Sequence, residues 1–415
     1  MQCRFCNSRL EDLFVSLGES PLSNAYLRKA DLRRTEHRFP LDVYVCKDCF
    51  LVQLPEYESP ENIFSDYAYF SSYSDTWLKH VLAYALEMAK KFSLGGSSKV
   101  VEIASNDGCL LKNFIAQGIP VLGIEPALNV AEVAVRNGVP TQAVFFSEAT
   151  AKRLRDEGNA ADLLVGNNVL AHVPDINDFV RGLKILLKPS GVITLEFPHL
   201  KRLIEENQFD TIYHEHFSYF SFLTVEKIFL KHGLTIFDVE ELKTHGGSLR
   251  IYGKHSTDKT KTTSPRVLEM RENEALAGFG SIMAYTAFQN NVRRIKEDTR
   301  DLLARLKRRG KTIAGYGAPA KGNTFLNYCG ITVADIPYTV DRNPHKQGRF
   351  LPGSHIRIEN PDKIKETRPD YVLILPWNIK EEVMEQISFI RDWGGEFITA
   401  IPKLEIHSNK LMEYV

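Results

Sequence analysis

At 415 residues with 43% hydrophobic side chains, the chain is too long for one ordinary domain and apolar enough to bury two or three cores. Lys plus Arg and Asp plus Glu both number 52, which leaves no strong positive field to attract nucleic-acid phosphates. No apolar run reaches the roughly 18 residues of a membrane span, and no charged-then-apolar leader opens the chain. These features predict a soluble cytoplasmic protein with reduced thiols, no membrane or nucleic-acid partner, and the state of a monomer or small homo-oligomer.

The chain opens with Cys3 and Cys6, and a second C-x₂-C pair follows at Cys46 and Cys49. Each knuckle presents two thiolates on one side, and two knuckles together supply the four soft ligands of a tetrahedral zinc site. Such a site has no open position, so the metal is expected to staple a module spanning residues 1–65 and to take no part in chemistry. The remaining cysteines, Cys109 and Cys329, read as packing residues.

The middle of the chain alternates short apolar strands with helical patterns: KVVEIA (99–104), VLGIEP (121–126), TQAVFF (141–146), DLLVGNN (162–168) and GVITLEFP (191–198). That alternation predicts a parallel, doubly wound α/β sheet. LTIFDVEEL (234–242) and GGSLRIYG (246–253) are joined by a turn too short for a crossover and should form an antiparallel hairpin at the sheet edge. Seven strands ending in a hairpin resemble the class I S-adenosylmethionine methyltransferase sheet.

Polar residues cluster at the predicted carboxyl ends of these strands. Glu102, Ala104, Ser105, Asn106, Asp107 and Gly108 form a tight turn of small residues into a helix, where a cofactor can approach the backbone. Glu125, followed by Pro126, ends the second strand, where a carboxylate can accept both ribose hydroxyls of a nucleoside. Asn167 and Asn168 end the fourth strand and should face the same crevice. Phe145 and Phe146 are either flanks for an adenine or core residues.

After the fifth strand, residues 197–219 are dense in titratable side chains. As a helical turn, Tyr213 to His216 would place Tyr213 and His216 on one face. As extended chain it would pair His214 with His216, and Tyr213 with Glu215. Both arrangements give His216 a polar partner and make it the favoured functional histidine.

GKHSTDKTKTTSP (253–265) reads as a linker and residues 266–309 as helix interrupted at Gly278 and Gly280. KTIAGYGAPAKGN (311–323) then gives a strand, a glycine turn and a helix start, whose amides with Lys321 make a place for a diphosphate. Strands at 336–341, 370–375 and 396–402 complete an α/β domain, and residues 340–353 form a polar loop that could close over a substrate. Arg250 and His245, on the preceding hairpin, are further candidates for the diphosphate.

DYAYFSSYSDTWLKH (66–80), VVEIASNDG, GIEPA, GNNVLAHVPD (166–175), TIYHEHFSYFS (211–221) and HGGSLR (245–250) follow the four cysteines in this order. In these motifs the chain resembles the deoxysugar C-methyltransferases, in particular the dTDP-sugar C-3 methyltransferase type, along nearly its whole length. The resemblance implies a zinc-binding module (1–65), a methyltransferase domain (66–254) and a helical connector with a Rossmann-like domain (255–415). It also implies structural zinc, S-adenosylmethionine as cofactor, and a nucleotide-linked 4-keto-6-deoxy sugar as substrate. By motif, catalytic roles fall on Tyr213, Glu215, His216 and His172, and on a tyrosine of the Asp-Tyr-x-Tyr segment, Tyr67, with Tyr69 and Tyr73 beside it. Gly317, Lys321 and Asn323 become the candidate nucleotide ligands.

The residue types suit carbon methylation, which needs a base for a C–H beside a ketone and donors for the enolate oxygen. A neutral imidazole can take that proton near pH 7. The rival expectations are C-5, O- or N-methylation of a similar sugar, and a zinc-ribbon RNA methyltransferase or adaptor, which the balanced charge disfavours.

Overall fold

In the computed structural model, residues 1–59 and 71–408 are described. The fold separates into two compact units that do not follow the linear boundaries at 65 and 254: one is built from Met1–Asp12, Tyr44–Leu200 and Phe217–Ala284, the other from Leu13–Val43, Lys201–His216 and the chain from Tyr285 onward. Strands β1 (Asp12–Ser20) and β2 (Phe39–Val45) are mostly in the second unit, whereas β3 (Val52–Gln53) is in the first.

The first unit is organised by a seven-stranded sheet. Its strands are β4 (Val100–Ile103), β5 (Val121–Ile124), β6 (Thr141–Gln142), β7 (Ala161–Asn167), β8 (Leu187–Pro198), β10 (Leu234–Leu242) and β11 (Ser248–His255), β9 being the short Ser218–Tyr219 strand beside β3. The order is β10-β11-β8-β7-β4-β5-β6. Every residue of β4 and β5 is buried, as expected for parallel strands covered on both faces. Alternate residues feed two cores: Val101, Ile103, Leu122, Ile124, Leu164 and Leu195 point to one, and Val100, Val121, Leu163, Val165 and Val192 to the other. Burying one such side chain stabilises the fold by about 1.5–3 kcal/mol.

Helices of this unit start at polar caps. Ser74 accepts from the Trp77 amide at 3.2 Å to open Asp75–Lys91, and Asp175 accepts from Asp178 at 2.9 Å to open Ile176–Leu186. The predicted third strand is shorter than 141–146. Only Thr141 and Gln142 pair with β5, after which the chain turns so that Ser147 can cap the helix Glu148–Asp156 and Phe146 can pack edge-on against Phe179. The hairpin is present, with β11 inserted between β8 and β10 and antiparallel to both. Glu240, Arg250 and Glu196 come into register across the three strands.

The segment 253–265 is a folded turn and no loose linker: Lys254 is buried, and its ammonium donates to the carbonyls of Asp258 and Lys261. The helical stretch that follows is broken into Pro265–Leu276, Met283–Thr286 and Phe288–Arg308, the interruption falling at Gly278 and Gly280.

The second unit holds a six-stranded sheet of β12 (Ile313–Tyr316), β13 (Tyr338–Val340), β14 (Arg357–Glu359), β15 (Tyr371–Ile374), β16 (Glu396–Thr399) and β17 (Glu405–His407), in the order β14-β13-β12-β15-β16-β17. All pairs are parallel except β16 with β17. The order reverses at β12, and α/β sheets bind ligands at the carboxyl ends of strands beside such a reversal. Among the described residues no helix is long and apolar enough to cross a membrane.

Candidate active site and metal centre

The two cysteine knuckles meet in the first unit. Asn7 and Phe50 adopt left-handed backbone angles, and their amides return to the carbonyls of Cys3 and Cys46, closing each knuckle. Cys3 Sγ lies 3.5 Å from Cys49 Sγ and Cys6 Sγ 3.5 Å from Cys46 Sγ, with all four sulfurs within 4.8 Å of one another. A tetrahedral zinc with bonds of ~2.3 Å needs sulfur–sulfur edges of ~3.8 Å, so the four thiols fit the ion. Cys3, Cys46 and Cys49 are buried. The centre is closed and structural.

At the carboxyl edge of the seven-stranded sheet, the turn after β4 holds Ala104 at φ +56°, Asn106 at φ +49° and Gly108 at φ +77°. A Cβ on Gly108 would sit 2.8 Å from Val139 Cγ2, so only glycine fits there. Glu125 accepts the backbone N–H of Asn106 and that of Ala127, each at 2.9 Å, and thereby ties the turn to the end of β5; Pro126 lies between the two. Burial raises its carboxyl above the ordinary range, against those two amides.

Several buried polar atoms here have no hydrogen-bond partner within the protein: Glu102 Oε2, Ser105 Oγ, both amide atoms of Asn167, and Asn168 Oδ1. Burial, reinforced by Asp107 and Glu125, pushes the Glu102 carboxyl well above the usual carboxylate range. An orphaned buried polar atom costs about 1–3 kcal/mol. A polar ligand such as S-adenosylmethionine satisfies such a set, and these residues fit its nucleoside and amino-acid ends.

Sequence reasoning missed a side-chain group in the same unit. His80 Nε2 lies 2.8 Å from Glu196, which also pairs with Arg250 at 2.7 Å, while the Trp77 ring sits beside both His80 and His245. His245 in turn contacts Asn168 at 2.9 Å. Arg250 is buried against Glu196, Glu240 and Glu87, so its charge is already neutralised within the fold. His172 ends the short 3₁₀ turn Leu170–His172 just beyond β7. Phe145 is exposed. A glutamate inside the apolar run GVITLEFP was the available signal for Glu196. Tyr67 and Tyr69 lie outside the described residues.

In the second unit, Tyr213–His216 forms a turn closed by the His216 amide to the Tyr213 carbonyl at 2.9 Å, which selects the helical-turn alternative. The two rings stack with centroids 4.0 Å apart. His216 Nδ1 is 2.7 Å from the Thr211 carbonyl oxygen, and Glu215 accepts from Asn24 at 2.6 Å. His214 donates to the Phe39 carbonyl, and burial lowers its pKa to about 4, so it stays neutral. The turn is pinned further by Thr324, whose hydroxyl donates to Ile212, and by Trp377, whose indole N–H donates to Asp210 at 2.7 Å.

Lys321, in the first turn of the helix Ala320–Cys329, donates to Asn378 at 3.1 Å and lies over the Trp377 ring; burial lowers its pKa, opposed by Asp210. Pro319 at the cap of that helix supplies no side-chain acceptor. Gly317, at φ +88°, lies so close to Pro376 that no Cβ fits. Asn323 is fully buried with no partner for its Nδ2.

Three family models match successive parts of the chain: "Putative zinc binding domain" over residues 3–64, "Methyltransferase domain" over 74–239 and "C-methyltransferase C-terminal domain" over 243–402. The C-methyltransferase NovU of Streptomyces niveus is 35% identical over 407 residues, which cover 98% of this chain and 97% of that one. The chain belongs to the C-methyltransferase family. A ubiquinone biosynthesis O-methyltransferase of Bartonella bacilliformis is 27% identical over 96 residues, covering 23% of this chain and 39% of its own. The S-adenosylmethionine-bound magnesium protoporphyrin IX methyltransferase of Synechocystis shares 15% identity over 43% of this chain and 79% of its own, with a TM-score of 0.34. The protein is thus an S-adenosylmethionine-dependent methyltransferase with a structural zinc centre.

Proposed function

We propose that this C-methyltransferase acts on a dTDP-linked 4-keto-6-deoxy sugar and methylates C-3, the carbon beside the ketone, through an enolate. The observation that carries this reading is the bond between His216 Nδ1 and the Thr211 carbonyl at 2.7 Å. A carbonyl only accepts, so Nδ1 carries the proton, and in the neutral imidazole Nε2 keeps a lone pair. His216 takes the C-3 proton on Nε2, and the electron pair of that C–H bond moves toward the C-4 oxygen. Tyr213, stacked on His216, donates its phenolic proton to that oxygen, with His172 and Tyr67 as further donors. Glu215 is held by Asn24 and orients the turn. S-adenosylmethionine, when bound by Glu102, Glu125, Asn167 and Asn168, supplies an electrophilic methyl group to the nucleophilic carbon.

Lys321, the uncapped helix start behind Gly317, and Asn323 are the proposed diphosphate ligands; His245 and Arg250 are weaker candidates, the latter because its carboxylate partners already hold it. Incubating dTDP-4-keto sugars in deuterated water without the methyl donor tests the carbon-acid route. Exchange of the C-3 hydrogen, read by NMR, supports it. Methylation of a hydroxyl or amine without exchange excludes it.

A further inference from the structure

The carboxylate arrangement at Glu125 occurs a second time in the chain. In the first unit the acid ending the strand next to the glycine turn accepts one amide from that turn and one from two residues onward. In the second unit, Asp341 directly follows β13, the parallel neighbour of β12. Its Oδ2 accepts the Ala318 amide from the Gly317 turn at 2.8 Å, and its Oδ1 accepts the Asn343 amide, two residues onward, also at 2.8 Å. Lys346 adds a cation 3.9 Å from the carboxylate while donating to the Ala318 carbonyl, which also accepts from the Tyr26 hydroxyl.

A carboxylate offers about four acceptor positions, and the two amides take two of them. The Asp341 side chain keeps 16% of its surface exposed, so the remaining positions are reachable. At a strand-order reversal, an acid so placed is suited to the furanose hydroxyls of a nucleoside whose phosphates lie at the adjoining turn. Resting on the reading of a dTDP-linked substrate, we infer that Asp341 is the residue that recognises the nucleotide's sugar, by accepting a hydrogen bond from its 3′-hydroxyl. Asp341 thereby sets the preference for a hydroxylated furanose and takes no part in the methylation step.

The test is calorimetric titration of the full-length zinc-bound protein with dTDP and with its 3′-deoxy analogue. The wild type should bind dTDP about 10- to 100-fold more tightly, the range for a hydrogen bond to a charged acceptor. Asp341→Asn should bring the two affinities together while keeping binding of the 3′-deoxy analogue. Equal wild-type affinities overturn the inference without any reference to the variant. Equal weakening of both ligands in Asp341→Asn also overturns it, since the carboxylate would then only support the turn. If the wild type binds neither ligand, the dTDP-sugar reading falls with it.

Discussion

Thr211 and His216 are joined through a single carbonyl-to-imidazole hydrogen bond of 2.7 Å, and this bond fixes which ring nitrogen carries the proton. Asparagine can place its amide nitrogen near the position of Nδ1 and keep that bond, but it has nothing at the position of Nε2. His216→Asn should therefore keep the fold and bind S-adenosylmethionine while losing both methyl transfer and exchange of the substrate's ring hydrogen. Tyr213→Phe should be milder, at about 10²- to 10³-fold in kcat. Native exchange in His216→Asn, measured by NMR, would assign the base to another residue, with His172 and Tyr67 next in line.

For the methyl donor, Glu125 has a double task, holding the turn after β4 through two amides and offering its remaining lone pairs to a ligand. Glu125→Ala should weaken S-adenosylmethionine binding by at least about 1.5–3 kcal/mol, the usual value of a hydrogen bond to a charged group. Glu125→Gln, which keeps one acceptor oxygen, should lose less. Calorimetry showing the native affinity in the alanine variant removes Glu125 from the site.

The zinc centre should contribute to folding and contribute nothing to turnover. Cys46→Ser is expected to lower zinc content below one per chain and to depress the melting temperature, because metal binding and folding of the knuckles are coupled. Elemental analysis and thermal melts check both. A variant that stays metal-loaded with a native melting temperature contradicts the four-thiolate assignment.

Asp210 predicts a pH effect on stability. Burial raises its carboxyl from 3.8 to about 6, and Lys321 and the Trp377 N–H only partly offset this. An acid with a raised folded pKa favours the folded state while protonated; that contribution is complete below about pH 4 and is lost as pH rises through about 6. Asp210→Asn keeps an acceptor for Trp377 and stays neutral, so it should be more stable than the wild type by about 2–3 kcal/mol at pH 7.5, with the gap closing near pH 4. Denaturant titrations at the two pH values measure it. A gap that does not change with pH excludes Asp210 as the titrating group.

The seven strands of the first unit were legible because each is a short apolar run bounded by polar turn residues, and the cysteine knuckles because two C-x₂-C pairs need a common ion. β6 was overread because Phe145 and Phe146 continue the apolar pattern while Ser147 ends the strand to cap a helix. The three-residue strands β14 and β17 are too short to show any period. Whether Tyr213–His216 turns or extends could not be read locally, since the bonds that fix it come from Asn24 and Thr324, far away in sequence. The link from His80 through Glu196 to Arg250 was hidden for the same reason: a lone glutamate in an apolar run does not name its partners.

The alignment of Glu240, Arg250 and Glu196 across β10, β11 and β8 has a consequence for assembly of the sheet. Side chains on a strand alternate between faces, so sliding β11 by one residue would carry the guanidinium to the opposite face. Glu196, 1% exposed, would then face a neighbouring strand without its cation, at a cost of several kcal/mol. The charge triplet therefore acts as a proofreading device for the hairpin: mispaired registers are penalised electrostatically, in addition to whatever apolar surface they expose.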